Sequence, residues 1–270
     1  GSASANAVTL QHGKIVAAGT SSDGFTLIRY RVDGSLDPAF GGGDGIVTTN
    51  ANARPTYPAV GSVYGLATDP KGRLIAAGDG ANAMCGAVCG PNNVAIARYR
   101  ADGSLDPGFG GGDGLFILRN RNAGLKSVAL SDAGRIIAAG SAKGTAFVLA
   151  LSKRGRRLRG FVTRGLQNKV NGTSRATGVA IDHGGRIVIG GSIGRKRGFV
   201  ARLNPNGTPD SGFGRRRGLT PISLGAQTKA YFSGGIALDR HANILTAGGV
   251  YSAGRPARFA LARYGGADLP

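Results

Sequence analysis

The sequence predicts an all-β chain: a β-propeller of about five four-stranded antiparallel blades, the last of them incomplete. Three observations predict it. The composition is poor in helix formers, one signature recurs five times at a spacing near sixty residues, and the runs between signatures have the length and alternation of strands. All fourteen acidic residues among the 270 are Asp, none is Glu, and there are 49 Gly. Glu is a good helix former, whereas Asp and Gly favour turns.

The signature reads "GKIVAAG" at Gly13, "GRLIAAG" at Gly72, "GRIIAAG" at Gly134, "GRIVIGG" at Gly185 and "ANILTAG" at Ala242, in steps of 59, 62, 51 and 57 residues. Self-similarity of this length marks a stacked repeat. Before each signature lies a short apolar alternation ending in a turn, such as "GLATDPK" or "GVAIDHG"; this is strand A, and the signature is strand B. The Asp-x-x-Gly link between them makes A and B a hairpin. Strand C follows as "FTLIRY", "VAIARY", "FVLALS", "FVARLN" or "FALARY", alternating with a period of two. Strand D is "GIVTTN", "GLFILR" or "GLTPIS".

Four strands in about sixty residues make a small sheet that cannot bury both faces alone, so neighbours must stack. Radial stacking leaves only short, protected edges. A sandwich or barrel, the competing architecture, does not explain five matching signatures. The repeat units span residues 6–61, 62–124, 125–173, 174–231 and 232–270 of one expected domain, 1–270. Five A–B–C sets face only four candidates for D, because the chain stops at "ARYGGADLP". Closure of five blades and an arc of a larger ring both stay open here.

Between C and D stands the most repetitive stretch of the chain. "YRVDGSLDPAFGGGDG" from Tyr30 and "YRADGSLDPGFGGGDG" from Tyr99 agree at fourteen of sixteen positions. Together with the B signature, this unit resembles the delta-60 repeat of bacterial proteins, a domain of unknown function with a β-propeller fold. The resemblance is specific over residues 6–50 and 62–119, fair over 174–224 and degraded over 125–165. It implies a secreted or cell-surface protein and a fold, and no established activity.

Carboxylates at Asp33, Asp37 and Asp44 in a Gly-rich loop raise the question of calcium, which takes six to eight oxygen ligands. The repeats supply an internal test. Asp33 and Asp37 correspond to Asp102 and Asp106, then to Arg154 and Leu158, then to Asn206 and Asp210. The Gly (34, 103, 155, 207) and the Phe (40, 109, 161, 213) persist in all four. What persists is what a turn and its anchor require, a residue free to take positive φ and a ring filling a gap between blades. The expectation is a structural corner with no metal and no cofactor.

Cys85 and Cys89, in "AMCGAVCG", are the only cysteines. Without a second Cys pair or a nearby His they do not suggest zinc. A local disulfide in an oxidising, extracytoplasmic setting is the first reading, and two free thiols the second. The longest apolar runs are as short as "IIAAG" at Ile136, so no transmembrane helix is expected. "GSASANA" has no apolar leader segment, which suits a mature form or a piece of a longer chain.

The net charge of +20 is unevenly placed. Residues 1–135 carry 12 Lys and Arg against 10 Asp; residues 136–270 carry 22 against 4. The sharpest clusters are Lys153 to Arg159 ("KRGRRLR") and Arg215 to Arg217, both in C–D links, and Arg195 to Arg197 in a B–C link. Up-and-down strands put both C–D clusters on one rim, so Arg154, Arg156, Arg157 and Arg159 are expected beside Arg215, Arg216 and Arg217 as an anion-binding patch. Guanidinium forks suit phosphate, sulfate and carboxylate. Solvated loops of an Arg-rich chain are the plainer reading. Aromatics are 6% with no Trp and do not interleave with the Arg runs, so base stacking on nucleic acid has no support. An anionic glycan or envelope polymer fits better, bound by a monomer.

Catalytic signals are few. His12, His183 and His241 all fall in or beside A–B turns, and no Gly-x-Ser-x-Gly elbow or His-Glu-x-x-His motif is present. Two functions from different classes follow. One is a non-catalytic extracytoplasmic module that binds or builds; the other is a propeller enzyme, a glycan hydrolase or lyase acting at the central channel.

Overall fold

The computed structural model describes residues 3–51, 61–80, 93–119, 122–162, 166, 172–194, 197–214, 217–222, 229–231, 235–251 and 258–265. Cys85 and Cys89 lie outside them, so the expected disulfide does too. Apart from the helical residue Leu166, the regular structure of the described residues is β.

The first sheet has the order β1 (Ser4–Gln11), β2 (Lys14–Ser21), β3 (Gly24–Tyr30), β4 (Ile46–Thr49). The second repeats it with β5 (Gly61–Thr68), β6 (Leu74–Gly80), β7 (Asn93–Tyr99) and β8 (Leu115–Leu118). The third has three strands among the described residues, β9 (Ala123–Leu130), β10 (Ile136–Ala142) and β11 (Thr145–Leu151), and the stretch where its D strand was expected lies largely outside the described residues. The fourth is complete, with β12 (Ser174–Ile181), β13 (Ile187–Ile193), β14 (Arg197–Leu203) and β15 (Leu219–Ile222). In the fifth, β16 (Lys229–Tyr231) and β17 (Ile236–Leu238) both pair with β18 (Ile244–Tyr251), whose other edge takes β19 (Arg258–Tyr264). Both β16 and β17 stand where strand A is expected, and no D strand follows C among the described residues.

The blade pattern of a β-propeller is thus present: up-and-down antiparallel sheets, each made from one repeat. The A–B turn forms as its sequence demands. In "DPKGR" the Asp69 carboxylate accepts from the amides of Lys71 and Arg73, and Gly72 takes φ 73°. Strands β1, β5 and β12 carry a bulge at the same place, at Asn6, Tyr64 and Thr177. A bulge re-aims one side chain; Asn6 uses it to donate to the Val63 carbonyl of the next blade, at 3.0 Å.

The chain folds as two compact units, Gly1–Val128 with Leu151–Arg157, and Ala129–Ala150 with Leu158–Pro270. In the first, Val16, Phe25, Leu27, Val63, Leu74 and Tyr99 are buried together between the first two sheets. In the second, Ile137, Val148, Ile189, Phe199 and Leu219 do the same. Glycines of the A strands are what let the sheets approach. A Cβ on Gly65 would lie 2.8 Å from the Val128 amide nitrogen, closer than a packed carbon allows.

Candidate anion-binding corners and an adjacent cleft

The C–D corner is built from three residues that are far less local than they look. In the first blade Arg29 is 5% exposed at the end of β3. Its Nε donates to Asp37 Oδ2 at 2.7 Å, and its guanidinium carbon lies 4.5 Å from the centre of the Phe40 ring. Arg202, Asp210 and Phe213 form the same clasp, with 2.7 Å and 4.7 Å, and Arg98, Asp106 and Phe109 match it as an ion pair of 2.8 Å with the ring at 4.8 Å. Each is an ion pair whose arginine is buried and covered by an aromatic face, the combination that lets a charge leave water.

The clasp reaches the next blade. Arg29 Nη1 donates to the Ala101 carbonyl, and Arg98 Nη1 to that of Lys153. The residue after each Phe bonds to the next corner as well. Gly41 N–H donates to Asp102 O at 3.0 Å, Gly110 N–H to Arg154 O at 3.0 Å, and Val162 N–H to Asn206 O at 2.9 Å. Each Phe ring lies against the next corner's glycine. A Cβ on Gly103 would fall 2.9 Å from the Phe40 ring, on Gly155 2.7 Å from Phe109, and on Gly207 2.9 Å from Phe161. The glycines therefore answer two demands, positive φ (83°, 90°, 75° and 86° in the four corners) and room for a ring. Phe bridges blades as its persistence suggested.

The two aspartates of the motif have separate duties. Asp33 accepts from the amide and hydroxyl of Ser35, at 2.9 and 2.7 Å, and holds the turn. Asp37 is enclosed by cations. The Lys14 ammonium at 2.6 Å, helped by the Ala39 amide and Arg29, holds its carboxyl down at about 2 against the opposing effect of burial. Reading the sequence missed the clasp arginine. Its signal is an Arg inside an apolar strand that disappears together with its Asp: in the third corner Arg and Asp become Ala150 and Leu158, both packed into the second unit's core.

The third corner keeps its shape without any carboxylate. Ser152 Oγ accepts from the amides of Arg154 and Arg156, both at 3.3 Å, in place of an Asp turn. The bridge from Leu151 to Arg157 matches those from Tyr30 to Leu36, Tyr99 to Leu105 and Leu203 to Pro209. Arg154, Arg156, Arg157 and Arg159 are exposed. The first three lie in the first unit, and Arg159 lies in the second with Arg217, also exposed. Arg215 and Arg216 are outside the described residues, as is most of the Arg195 to Arg197 cluster.

Within the second unit a cleft of about 430 Å³ opens between the A–B turns of the third and fourth blades. Leu130, Ile181 and Pro205 line it, and Asp132, Arg135 and His183 stand at its edge. In the first unit, Asp79 on β6 is held against β9, with Lys126 Nζ 3.9 Å away over the Tyr64 ring. Asp79 Oδ1 is buried without a hydrogen bond, and burial pushes the carboxyl up to about 6.

The comparisons with known proteins agree with this architecture. A family described as a domain of unknown function (DUF5122) beta-propeller matches residues 13–40, 70–109 and 185–213, stretches that hold the B strand, the C strand and the clasp. Over those stretches the repeat is similar to that of a β-propeller family of unknown function. A crystal structure of a protein of unknown function from Dyadobacter fermentans is similar over 98% of this chain and 79% of its own, at 13% identity and a TM-score of 0.56. It supports the fold alone. An aldose sugar dehydrogenase from Streptomyces coelicolor in its PQQ-bound form (13% identity, 96% of this chain and 82% of that one, TM-score 0.48) is a looser likeness. So is a xylan β-1,4-xylosidase from Bacillus halodurans (9%, 95% and 51%, TM-score 0.43), of whose length this chain spans about half. These two carry no argument. No curated protein matches the chain in sequence.

Proposed function

We propose that this propeller, built of delta-60-type repeats, is a bacterial extracytoplasmic binding module. Its C–D corners of the third and fourth blades hold an anionic glycan or envelope polymer through Arg154, Arg156, Arg157, Arg159 and Arg215 to Arg217. The observation that carries it is the third corner. There the repeat gives up the Arg–Asp clasp and the turn aspartate, keeps the turn with Ser152, and fills the exposed positions with guanidinium groups. Those arginines have no part in holding the corner through their side chains, so the fold does not explain them. Nor can they be neutralised in general: 4 Asp face 22 Lys and Arg in residues 136–270. A positive surface of this kind concentrates a polyanion and binds it in a salt-dependent way.

The test is retention on heparin against salt for the wild type and for Arg154, Arg156, Arg157 and Arg159 together changed to Ser. The variant should elute earlier and lose roughly one unit of slope, in log affinity against log salt, per phosphate-like contact removed. Its melting temperature should stay within about 2 °C of wild type, since exposed substitutions cost roughly 0.5 kcal/mol or less. Identical elution would discard the corner as a binding site. Appearance of new reducing or unsaturated ends when the protein is incubated with the polymer would favour the enzyme reading instead.

A further inference from the structure

The cleft of the second unit lies between two A–B turns, and at its edge stand side chains that those turns do not use. Equivalent turns, "SDAGR" at Ser131 and "DHGGR" at Asp182, form its two banks. Their first residues hold them: Ser131 Oγ accepts from the Arg135 amide at 3.1 Å, and Asp182 Oδ1 from the Arg186 amide at 2.8 Å. The second residues, Asp132 and His183, are exposed at the cleft edge and free of that task. Arg135 differs from its counterparts too. Arg73 and Arg186 are paired with Asp69 and Asp182 four residues earlier, at 2.6 and 2.7 Å; Arg135 has Ser131 at that place. Its guanidinium is left to the cleft.

The chemistry of the lining selects a ligand class. Leu130, Ile181 and Pro205 offer an apolar wall to the C–H face of a ring, Asp132 and His183 offer hydrogen bonds to hydroxyls, and Arg135 offers a fork to a carboxylate. About 430 Å³ sits at the lower end of small-molecule sites, roughly 300–1,000 Å³. The cleft also lies near Arg159 of its own unit. Pro205 adjoins Asn206, whose carbonyl accepts from the amide of Val162, three residues beyond Arg159.

We propose that this cleft seats one acidic sugar residue, of the uronate class, from the anionic glycan. This deepens the polyanion reading and rests on it for the rest of the polymer. The measurement is calorimetric titration with tetragalacturonate and with a linear polyphosphate of matched charge. Three proteins are compared: wild type, Asp132→Ala with His183→Ala, and the four-Arg corner variant. The cleft predicts that wild type prefers tetragalacturonate by about tenfold, the worth of one or two hydrogen bonds. It predicts that the double variant loses that preference and keeps its polyphosphate affinity and melting temperature. Equal affinity for both probes in wild type, or an unchanged double variant, overturns the cleft while leaving the polyanion reading standing. Binding of the sugar with no binding of polyphosphate, unchanged in the corner variant, overturns the polyanion reading and upholds the cleft.

Discussion

Replacing Arg202 by Ala should destabilise the protein by about 3–5 kcal/mol, the usual cost of stranding one partner of a buried ion pair. Arg202 is 1% exposed, and its removal leaves the Asp210 carboxylate, 2.7 Å from the lost Nε, with one side chain fewer to answer it. The cation–π contact with Phe213, about 1–2 kcal/mol when desolvated, goes as well. The natural chain shows the remedy, because its third corner carries Ala150 and Leu158 at these two positions. The double variant Arg202→Ala with Asp210→Leu should therefore recover most of the loss, to within about 1–2 kcal/mol of wild type, a recovery of about 2–3 kcal/mol. Calorimetric melting is the assay. In a chain of this size 1 kcal/mol is worth about 2–4 °C, so Arg202→Ala should melt roughly 6–20 °C lower and the double variant should regain most of that. A double variant as unstable as Arg202→Ala would refute the idea that Arg and Asp stand or fall as a pair.

Asp79 carries a pH dependence of a definite sign. Its folded value, about 6, lies above its ordinary 3.8, so its contribution is present below about pH 4 and is lost as pH rises through 6. That difference is worth at most about 3 kcal/mol at 1.36 kcal/mol per unit. Asp79→Asn should raise stability in urea at pH 7.5 and leave it nearly unchanged at pH 4; a gain of equal size at both would remove the burial argument. Gly103→Ala places a methyl group 2.7 Å from Val47 and 2.9 Å from the Phe40 ring, at a φ of 90°. It should cost about 1–3 kcal/mol, against a small effect for Gly42→Ala, which meets open space and carries only the strain of its φ. Equal losses at the two sites would show that strain alone matters.

The fold was legible because its determinants are local and repeated. A turn such as "DPKGR" closes on its own amides, a strand such as "FTLIRY" shows its buried face by alternation, and five copies of the pair make chance an implausible author. The persistence of Gly103 and Phe40 pointed to packing between blades, and there the ring and the glycine meet. The clasp was less legible. Arg29 reads in isolation as one outward residue of an amphipathic strand, and Asp37 as a turn former. Only the joint replacement by Ala150 and Leu158 betrays the pair.

From the sequence alone came the unit, its strands, its turns and the imbalance of charge, since each depends on neighbours within a few residues or on a simple count. Tertiary structure decided which arginines hold the blades and which are left to solvent, and which turn residues face a cleft. Arg29 and Arg154 are the same letter on nearby steps of equivalent corners. What separates them is whether a carboxylate and an aromatic ring arrive from elsewhere in the corner to take the charge out of water.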